Sequence, residues 1–501
     1  MTQTVNAPGT VHGAAAAAAR QLGHEPDLLP DGWEMVIGLE VHAELATESK
    51  MFSPAPNRFG GQPNTNVHPV CLGLPGTLPV VNRKAVELSI RIGLALNCTV
   101  NRCIWARKNY FYPDMAKDYQ ISQYDQPLNV DGQLELPSGA VIGIERAHME
   151  EDAGKTVHVG DDGRINSAGY SLVDYNRAGV PLIEIVSRPD IAGPEQAKEY
   201  VEELRSILVA IEASDGKMEE GSLRVDANVS VRPAGSSELR TRCEIKNVNS
   251  LRSIGRAITY EAKRQVQLYE SGERPVQETR HWDEEAGRSR PGRSKEEAED
   301  YRYFADPDLV PIDPSPEWIA EIAAALPALP KQRRDALIER GGGHDEAAIA
   351  VGRGLDGLAL AAIDAGADAE RVLTHVRNNL AVDGAERLDP VQFAELVTME
   401  TGGALTATQA KQVLAEMVET GNDPASIAAA RGFEAMDTGE LETLVDQLIA
   451  DHPEEWARFT SGDDADRKKM QGFFTGQIMK ATKGQADGKM VNQLLSARAA
   501  G

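Results

Sequence analysis

The first half of the chain contains segments in which apolar and polar residues alternate, the pattern of β-strands that bury one face. In residues 34–45 the apolar positions are Met35, Ile37, Leu39, Val41 and Ala43, and Gly38, Glu40, His42 and Glu44 stand between them. In residues 222–233 the apolar positions are Leu223, Val225, Ala227, Val229 and Val231, and the polar ones are Arg224, Asp226, Asn228, Ser230 and Arg232. These segments predict neighbouring strands with one apolar and one polar face.

Two segments of the same region follow helical spacing instead. Residues 193–214 place Ala197, Val201, Leu204, Leu208 and Ile211 on one stripe, with Pro194 early, where a helix tolerates proline. Residues 81–97 show a similar pattern from about Lys84. Both predict amphipathic helices that cover the apolar face of a sheet.

The composition of the sequence changes near residue 312. A segment with several prolines begins there, and Ala/Leu/Glu-rich segments with helical spacing follow it. We therefore predict an α+β protein with an antiparallel sheet in a front domain at 31–311, followed by helical domains at 312–400 and 401–501. Residues 1–30 lack the charged and Leu-rich parts of a signal peptide, and we interpret them as a flexible leader.

Composition adds two expectations about the protein's surroundings. No apolar run is long enough to cross a bilayer, and the four cysteines show no paired framework, so we expect a cytoplasmic protein away from the membrane. The net charge of −25 repels phosphate backbones, so any nucleic-acid ligand must bind a local basic region.

The residue types on the polar strand faces differ from those of an ordinary wet face. Arg146, His148, Glu150 and Asp152 share one face, and Arg242, Glu244 and Lys246 share another. A solvated outer face of an antiparallel sheet accounts for any single strand. Several strands rich in Glu, Asp, His and Arg, however, favour a shared site.

Glu184 is a carboxylate within the mostly apolar segment at 181–187, where a buried and unpaired charge would be costly. A divalent cation such as Mg²⁺, which prefers hard oxygen ligands, would explain both Glu184 and the acidic faces. Acidic groups, a metal and arginines on one surface are typical of phosphoryl transfer. The sequence contains neither a Walker A motif nor a G-x-G-x-x-G after a strand, so a nucleotide would bind the sheet face.

Eight ordered motifs then resemble a known family. They are VIGLEVHAEL, CLGLPGTLPVVN, RKNYFYPDMAKDYQISQYDQPL, HMEEDAGK, DYNRAGVPLIEIVSRPD, EEGSLRVDANVSVRP, EIKNVNSLRSIGRAI and DYRYFADPDLVP. Together they resemble the B subunits of tRNA-dependent amidotransferases (GatB of the GatCAB complex) over about residues 33–311. The tail segment GFFTGQIMKATKGQADGKMVNQLL resembles the same family and its YqeY-like helical domain.

The resemblance implies a fold and an activity. The front domain would be a cradle similar to the catalytic fold of glutamine synthetase and the guanidino kinases. The subunit would transfer the γ-phosphoryl group of ATP to the side-chain carboxylate of Glu-tRNA(Gln) or Asp-tRNA(Asn). Ammonia from a glutaminase A subunit would then displace phosphate, in a heterotrimer completed by a small C subunit, so the enzyme class is a carbon–nitrogen ligase with glutamine as amido donor.

The resemblance also implies site residues. The family's Mg²⁺ ligands match His42, Glu150 and Glu184, with Glu40 beside them as a further catalytic carboxylate. Glu151 would be structural, and Asp152 would support the ligands, together with Lys155. For the ATP phosphates our candidates are Arg224, Arg232 and Lys246, although cross-strand ion pairs with Asp226 and Glu244 explain these residues equally well.

A zinc site found in some relatives is not expected in this chain. Their C-x-C…C-x-x-C pattern reads Ser53, Ala55, His68 and Cys71 here, which leaves too few ligands for a closed tetrahedral site. We therefore expect no zinc, and we expect Cys71, Cys98 and Cys103 to lie in the core.

The C-terminal segment provides the basic region that a nucleic-acid ligand requires. From Arg467 to the end it carries seven Lys or Arg residues and one Asp. The family's tail domain is implicated in holding tRNA, and a solvated helix face is the alternative. The candidate tRNA-binding residues are Lys468, Lys469, Lys480, Lys483 and Lys489.

Two other functional classes remain open at this point. One is a tRNA-binding scaffold with a vestigial site, for which carboxylates such as Glu150 and Glu184 would be an unused cost in stability. The other is a free-standing carboxylate kinase for a small metabolite, which needs no basic tail.

Overall fold

The computed structural model describes residues 28–159, 169–292, 301–433, 438–482 and 488–500. The predicted leader at 1–30 lies almost entirely outside these residues. The chain divides into two compact units, the first ending at Lys331 and the second beginning at Gln332. None of the described helices combines the length and the apolar character that a membrane span requires.

The first unit contains fourteen strands and four helices among its described residues. The strands are β1 (Trp33–Glu44), β2 (Thr99–Val100), β3 (Ala106–Asn109), β4 (Tyr119–Ser122), β5 (Asn129–Glu135), β6 (Val141–Glu151), β7 (Lys155–Val159), β8 (Tyr170–Asp174), β9 (Pro181–Ser187), β10 (Leu223–Pro233), β11 (Cys243–Val248), β12 (Thr279–Asp283), β13 (Arg288–Pro291) and β14 (Phe304–Ala305). The helices are α1 (Arg83–Ala95), α2 (Pro194–Ala210), α3 (Leu251–Glu270) and α4 (Pro316–Ala324).

Nine of these strands form one sheet, in the order β13-β12-β11-β10-β1-β9-β6-β5-β2. Its pairings are antiparallel except that between β11 and β12, which is parallel. The predicted mixed fold with a largely antiparallel sheet is therefore confirmed. β3, β4 and β14 form a small second sheet, and β7 and β8 form a separate hairpin.

The apolar face of the large sheet is buried, as the alternation predicts. Every apolar position predicted on β1 and β10 is at most 7% exposed. The predicted stripe of α2 is fully buried in the same core, and buried residues of α1 and α3 complete it. The opposite face of the sheet remains free for polar side chains.

Both predicted domain boundaries differ from the packing. Ile322 on α4 is buried in the core of the first unit, and Trp318, Leu326 and Leu329 pack against it, so that core extends well beyond residue 311. The boundary expected after residue 400 falls inside a helix, Pro390–Thr401. Proline and glycine residues in this region mark the ends of helices. They do not mark the ends of domains, because one hydrophobic core can extend over several helices.

The second unit is helical and holds two hydrophobic cores. Its helices are α5 (Pro330–Glu339), which begins two residues before the unit, α6 (His344–Gly352), α7 (Asp356–Asp364), α8 (Ala369–Asn378), α9 (Pro390–Thr401), α10 (Ala407–Thr420), α11 (Pro424–Ala430), α12 (Thr438–Asp451), α13 (Pro453–Ser461), α14 (Asp464–Ala481) and α15 (Gly488–Ala500), with a 3₁₀ turn at Ala385–Arg387. Residues between Leu337 and Ala428 form one core, and residues between Leu441 and Leu495 form the other.

The contact of Gly93 with Asn129 sets the distance between α1 and the sheet. A Cβ at Gly93 would lie 2.0 Å from Asn129 Oδ1. The Asn129 side chain is fully buried and donates to Ser89 O and Ala147 O, so it joins the helix to β6 and has no room to move.

We expect Gly93→Ala to destabilise α1 by about 1–3 kcal/mol, because the clash outweighs the gain of about 1 kcal/mol in helix propensity. Hydrogen–deuterium exchange over residues 83–95 measures this change. The control is Gly476→Ala in α14, where a Cβ meets nothing within 4 Å and propensity alone acts. Unchanged or slower exchange in α1 of the Gly93 variant would contradict the packing argument.

Candidate active site

A cleft of about 1510 Å³ lies over the polar face of the large sheet. Side chains of β1, β6, β9, β11 and β12 line it, together with residues of the small sheet and of the segment around residue 301. The alternation along each strand points these polar side chains to the face opposite the apolar core. The cleft therefore collects charged groups from several strands.

His42, Glu150 and Glu184 meet in this cleft and form what we call the first cluster. Strand register explains the meeting, because Glu184 on β9 lies opposite His42 on β1 and opposite His148 on β6. His42 Nε2 is 3.4 Å from Glu184 Oε2 and 3.8 Å from Glu150 Oε1. One ligand atom from each of the three residues lies within 4.8 Å of the others, a spacing that one cation can span.

The titration behaviour of the first cluster reflects its crowded negative charge. Burial and the nearby charge of Glu184 raise the pKa of Glu150 to about 7. Burial opposes protonation of His42, but the hydrogen bond and charge of Glu184 and the charge of Glu150 raise its pKa to about 9. Burial would raise the pKa of Glu184, but His148, His42 and Arg146 hold it well below its ordinary value. The shifts follow from acidic and basic groups held close together away from water.

His148 is a neighbour of this cluster that was predicted only as a member of the polar face. Its Nε2 lies 3.7 Å from Glu184 Oε2. Burial lowers the pKa of His148 to about 4, although Glu184 opposes the shift, so its ring is neutral near pH 7. Among the described residues, no hydrogen-bond partner reaches its Nδ1.

Glu40 lies two residues before His42 on the same face of β1 and lines the same cleft, beside the first cluster as expected. It lies opposite Asp226 on β10 and groups with Asp226 and Glu244, whose ligand atoms also lie within 4.8 Å of one another. Asn228 Nδ2 donates to Glu40 Oε1 at 2.9 Å. We call Glu40, Asp226 and Glu244 the second cluster. It is a further carboxylate set that could hold a cation.

Sequence reasoning missed the ligand potential of Asp226 and Glu244, which were considered only as ion-pair partners. The available signal was their position on the same polar faces as Arg224 and Lys246. The register that places these faces opposite Glu40 depends on pairing between distant strands, including an irregularity between β10 and β11. Local alternation gives no information on such pairing.

The three consecutive acids at 150–152 have three different environments. Glu150 belongs to the first cluster. Glu151 on the alternate face accepts hydrogen bonds from Lys117 and from the backbone of Ile121. This geometry fits the structural role predicted for Glu151.

Asp152 is held by arginines. It accepts a hydrogen bond from Arg224 Nη2 at 2.6 Å, and it lies 3.5 Å from Arg177 Nε. Lys155, which was expected to support it, lies on β7 and is exposed. Arginine rather than lysine thus balances the charge of Asp152 beside the cluster.

The three candidate ATP ligands occupy different places. Lys246 lines the cleft, where it donates to Asp226 at 2.7 Å and lies 3.3 Å from Glu244. Arg224, paired with Asp152, lines a smaller adjoining pocket of about 460 Å³ that also reaches His42. The ion-pair alternative thus describes Lys246 correctly, although a bound phosphate would compete for the same ammonium.

Arg232 must be corrected as an ATP ligand. It pairs with Glu34 near the start of β1, and it lines neither of the two pockets. Arg224 lies opposite His42, and Arg232 follows eight residues later, which is about 27 Å along a strand. Sharing a face does not bring two residues of one strand together when they stand at opposite ends.

The positions compared with the zinc knuckle contain a buried hydrogen bond. Ser53 Oγ and Cys71 Sγ are 3.4 Å apart, and Ala55 offers no ligand atom. Cys71, Cys98 and Cys103 are buried free thiols, as predicted. That zinc does not bind remains a prediction.

The tail lysines lie on or near the last two helices. Lys468, Lys469 and Lys480 are exposed on α14, whose buried side is formed by Met470, Phe474 and Ile478. Lys483 lies outside the described residues, as does the side chain of Lys489 at the start of α15. The basic residues that are described therefore face solvent.

Comparison with known proteins gives independent evidence. Residues 35–320 match the GatB/GatE catalytic domain, and residues 370–498 match the family described as GatB domain. The B subunit of the aspartyl/glutamyl-tRNA(Asn/Gln) amidotransferase of Thermoanaerobacter pseudethanolicus is 47% identical over 478 residues, covering 92% of this chain and 98% of the relative. The corresponding protein of Salinispora arenicola is 49% identical over 485 residues, covering 93% and 96%.

These matches span the sheet, both carboxylate clusters and the last helical core. The clusters lie in the part of the chain that matches the catalytic domain, and α14 lies in the part that matches the second domain. The chain belongs to the GatB/GatE family.

Proposed function

We propose that this chain is the B subunit of a tRNA-dependent amidotransferase. It phosphorylates the side-chain carboxylate of Glu-tRNA(Gln), Asp-tRNA(Asn) or both with ATP, and ammonia then converts the product to the amide. Family membership supports this function, and the meeting of His42, Glu150 and Glu184 in one cleft is the observation that carries it. The reaction is a carbon–nitrogen ligation with glutamine as the amido donor.

The donor set of the first cluster fits Mg²⁺. Two carboxylates and one imidazole lie close enough to share one ion. Burial and then the negative charge of Glu184 raise the pKa of Glu150, and a cation would balance that charge. Bound Mg²⁺ would polarise phosphate oxygens and offset the charge that develops during phosphoryl transfer. In this proposal His42, Glu150 and Glu184 hold it, and the second cluster is a further candidate cation site.

The chemistry proceeds in two displacements. The substrate carboxylate attacks the γ-phosphorus, ADP leaves, and an acyl phosphate forms. Ammonia attacks the acyl carbon, phosphate leaves, and the extra proton passes to solvent or to a nearby base. Lys246 in the cleft and Arg224 in the adjoining pocket remain candidates for contacting the ATP phosphates.

The smaller pocket offers a second approach to the same carboxylates. It contains Asp152 and Arg224 and meets the larger cleft at His42, Glu150 and Glu184. Two approaches suit a reaction in which a bulky acceptor and ammonia reach one carbon from different directions. We propose that ammonia comes from a glutaminase A subunit and that a small C subunit completes the complex.

We further propose that the large sheet is the cradle shared with glutamine synthetase and the guanidino kinases, and that the tail domain holds tRNA. Exposed lysines on α14 support tRNA binding by the tail. A tRNA-binding scaffold with a vestigial site would not explain why Glu150 and Glu184 are held together despite their mutual repulsion. The small-metabolite kinase hypothesis leaves the basic tail unexplained.

Glu184→Gln tests the carboxylate site. In the reconstituted complex with ammonium as nitrogen donor, we expect product formation to fall at least 100-fold, because a cation ligand and the partner of His42 are lost. Metal binding, followed by Mn²⁺ electron paramagnetic resonance, should weaken in parallel. Glu34→Gln is the matched control, since Glu34 lies on the same strand as His42 but pairs with Arg232. Normal amidation by the Glu184 variant would falsify the site.

Lys246→Ala and Arg232→Ala compare two of the three ATP candidates. We expect the KM for ATP to rise about ten-fold for Lys246→Ala, because a phosphate contact is lost. Arg232→Ala should leave the KM for ATP unchanged, since its partner Glu34 is remote from the cleft. Steady-state kinetics of amidation at varied ATP measure both values, and the opposite ranking would restore Arg232 as a ligand.

Charge reversal tests the tail. We expect Lys469→Glu with Lys480→Glu to raise the KM for aminoacyl-tRNA and to make it less sensitive to salt, because phosphate contacts are lost. The KM for ATP should not change. Lys411→Glu, an exposed reversal on α10, is the control. Equal effects of both variants would show that tRNA binding depends on the net charge of the protein and not on the lysines of the tail.

A further inference from the structure

Tyrosine is concentrated at one end of the large cleft. Of the eleven tyrosines in the chain, five line this cleft: Tyr110, Tyr112, Tyr124, Tyr301 and Tyr303. They come from two distant segments, one that includes β3 and β4 and one just before β14. We call these residues the tyrosine wall.

Tyr124 and Tyr303 form a parallel stack within the tyrosine wall. Their ring centroids are 4.3 Å apart, and their planes differ by 9°. Tyr303 is partly covered, whereas Tyr124 is 49% exposed. By contrast, Tyr200 is fully buried in the core. The stack therefore presents aromatic surface to the cleft, where another flat ring can extend it.

The stack adjoins the first cluster. Burial raises the pKa of Tyr303, and the negative charges of Glu150 and Glu184 raise it further, so its hydroxyl stays protonated and can donate a hydrogen bond. Lys108 Nζ lies 4.6 Å from the centroid of the Tyr301 ring, and its positive charge acts on Glu150. The wall thus places stacking surface and a cation next to the reacting centre.

The cleft has a second end, formed by β11, β12 and β13 and including Lys246, His281 and Arg290. At about 1510 Å³ it exceeds the volume usual for one small ligand and has room for two. Phosphoryl transfer needs the attacking and leaving oxygens on opposite sides of phosphorus. With Lys246 on the phosphates of ATP, the acceptor enters from the tyrosine wall.

We propose that the tyrosine wall binds the single-stranded 3′ end of the aminoacyl-tRNA, and that its terminal adenine stacks on Tyr124. Exposed aromatic rings are the usual platform for unpaired nucleotides, and Lys108 adds a positive charge beside these rings. The amino acid is esterified to the terminal ribose, so a stacked adenine positions the side-chain carboxylate at the first cluster. This inference rests on the proposed function and assigns its acceptor subsite.

Kinetics of the complete complex with ammonium as nitrogen donor provide the first test. We expect Tyr124→Leu to raise the KM for aminoacyl-tRNA about ten-fold and to leave the KM for ATP unchanged. Tyr124→Trp should restore the KM, because tryptophan stacks and leucine does not. Tyr170→Leu makes the same change at a tyrosine that is 60% exposed on β8, does not line the cleft, and should have no effect.

A binding cycle provides a second test that requires no catalysis. Fluorescence anisotropy compares acceptor-stem minihelices ending in CCA with minihelices whose terminal nucleotide is abasic. We expect loss of the adenine and loss of the Tyr124 ring each to weaken binding about ten-fold, and the two losses together to weaken it no further.

The outcomes separate this inference from the proposed function. Additive losses in the binding cycle, or an unchanged KM of Tyr124→Leu for aminoacyl-tRNA, would refute the stacking of the terminal adenine on Tyr124. A rise in the KM for ATP alone would instead assign the tyrosine wall to the adenine of ATP. A wild-type complex that makes neither Gln-tRNA nor Asn-tRNA, but shows the non-additive binding cycle, would refute the proposed function and leave the stack standing.

Discussion

Repulsion among carboxylates on one sheet face is the constraint on which the rest of the site depends. Five acidic groups occupy two clusters whose ligand atoms lie within 4.8 Å. Two unit charges at that distance repel by about 3–4 kcal/mol at an effective dielectric of 20. Lys246 partly neutralises the second cluster, and His42 and Arg146 partly neutralise the first. An arrangement this unfavourable persists because the sheet holds it, and bound cations would relieve it.

The apolar face of the sheet keeps these carboxylates in position. β1 lies in the middle of nine strands, and its apolar positions are fully or almost fully buried in a core that also includes residues of α1, α2 and α3. Because each strand is fixed by its neighbours, His42 and Glu184 cannot move apart to lower their local energy. Packing of apolar side chains on one face thus fixes the distances between charged side chains on the other. This organisation fits the proposed chemistry, in which charge stabilisation must be in place before the substrates react.

Sequence patterns predicted the features that depend on local order. Alternation identified both faces of β1 and β10, and helical spacing identified α1 and α2. The residue pattern singled out Glu184, family resemblance gave the full set of three in the first cluster, and strand register brings them together. The pattern could not predict that Glu40 groups with acids of β10 and β11 and not with those of β9 and β6, because register between strands far apart in sequence is not a local property. Arg232 failed for a related reason, since alternation assigns a face but not a position along the strand.

The central place of β1 also bears on how the chain is made. β1 ends at Glu44, but its two neighbours in the sheet, β9 and β10, end at Ser187 and Pro233. During synthesis on the ribosome, its backbone groups and apolar side chains therefore stay unpaired until both of these distant segments have emerged. Unpaired strands of this composition are prone to aggregate, so we expect nascent chains to depend on chaperones until β10 has emerged. Because β1, the earliest of the described strands, carries residues of both clusters, the cleft face of the sheet can form only after β10 has emerged.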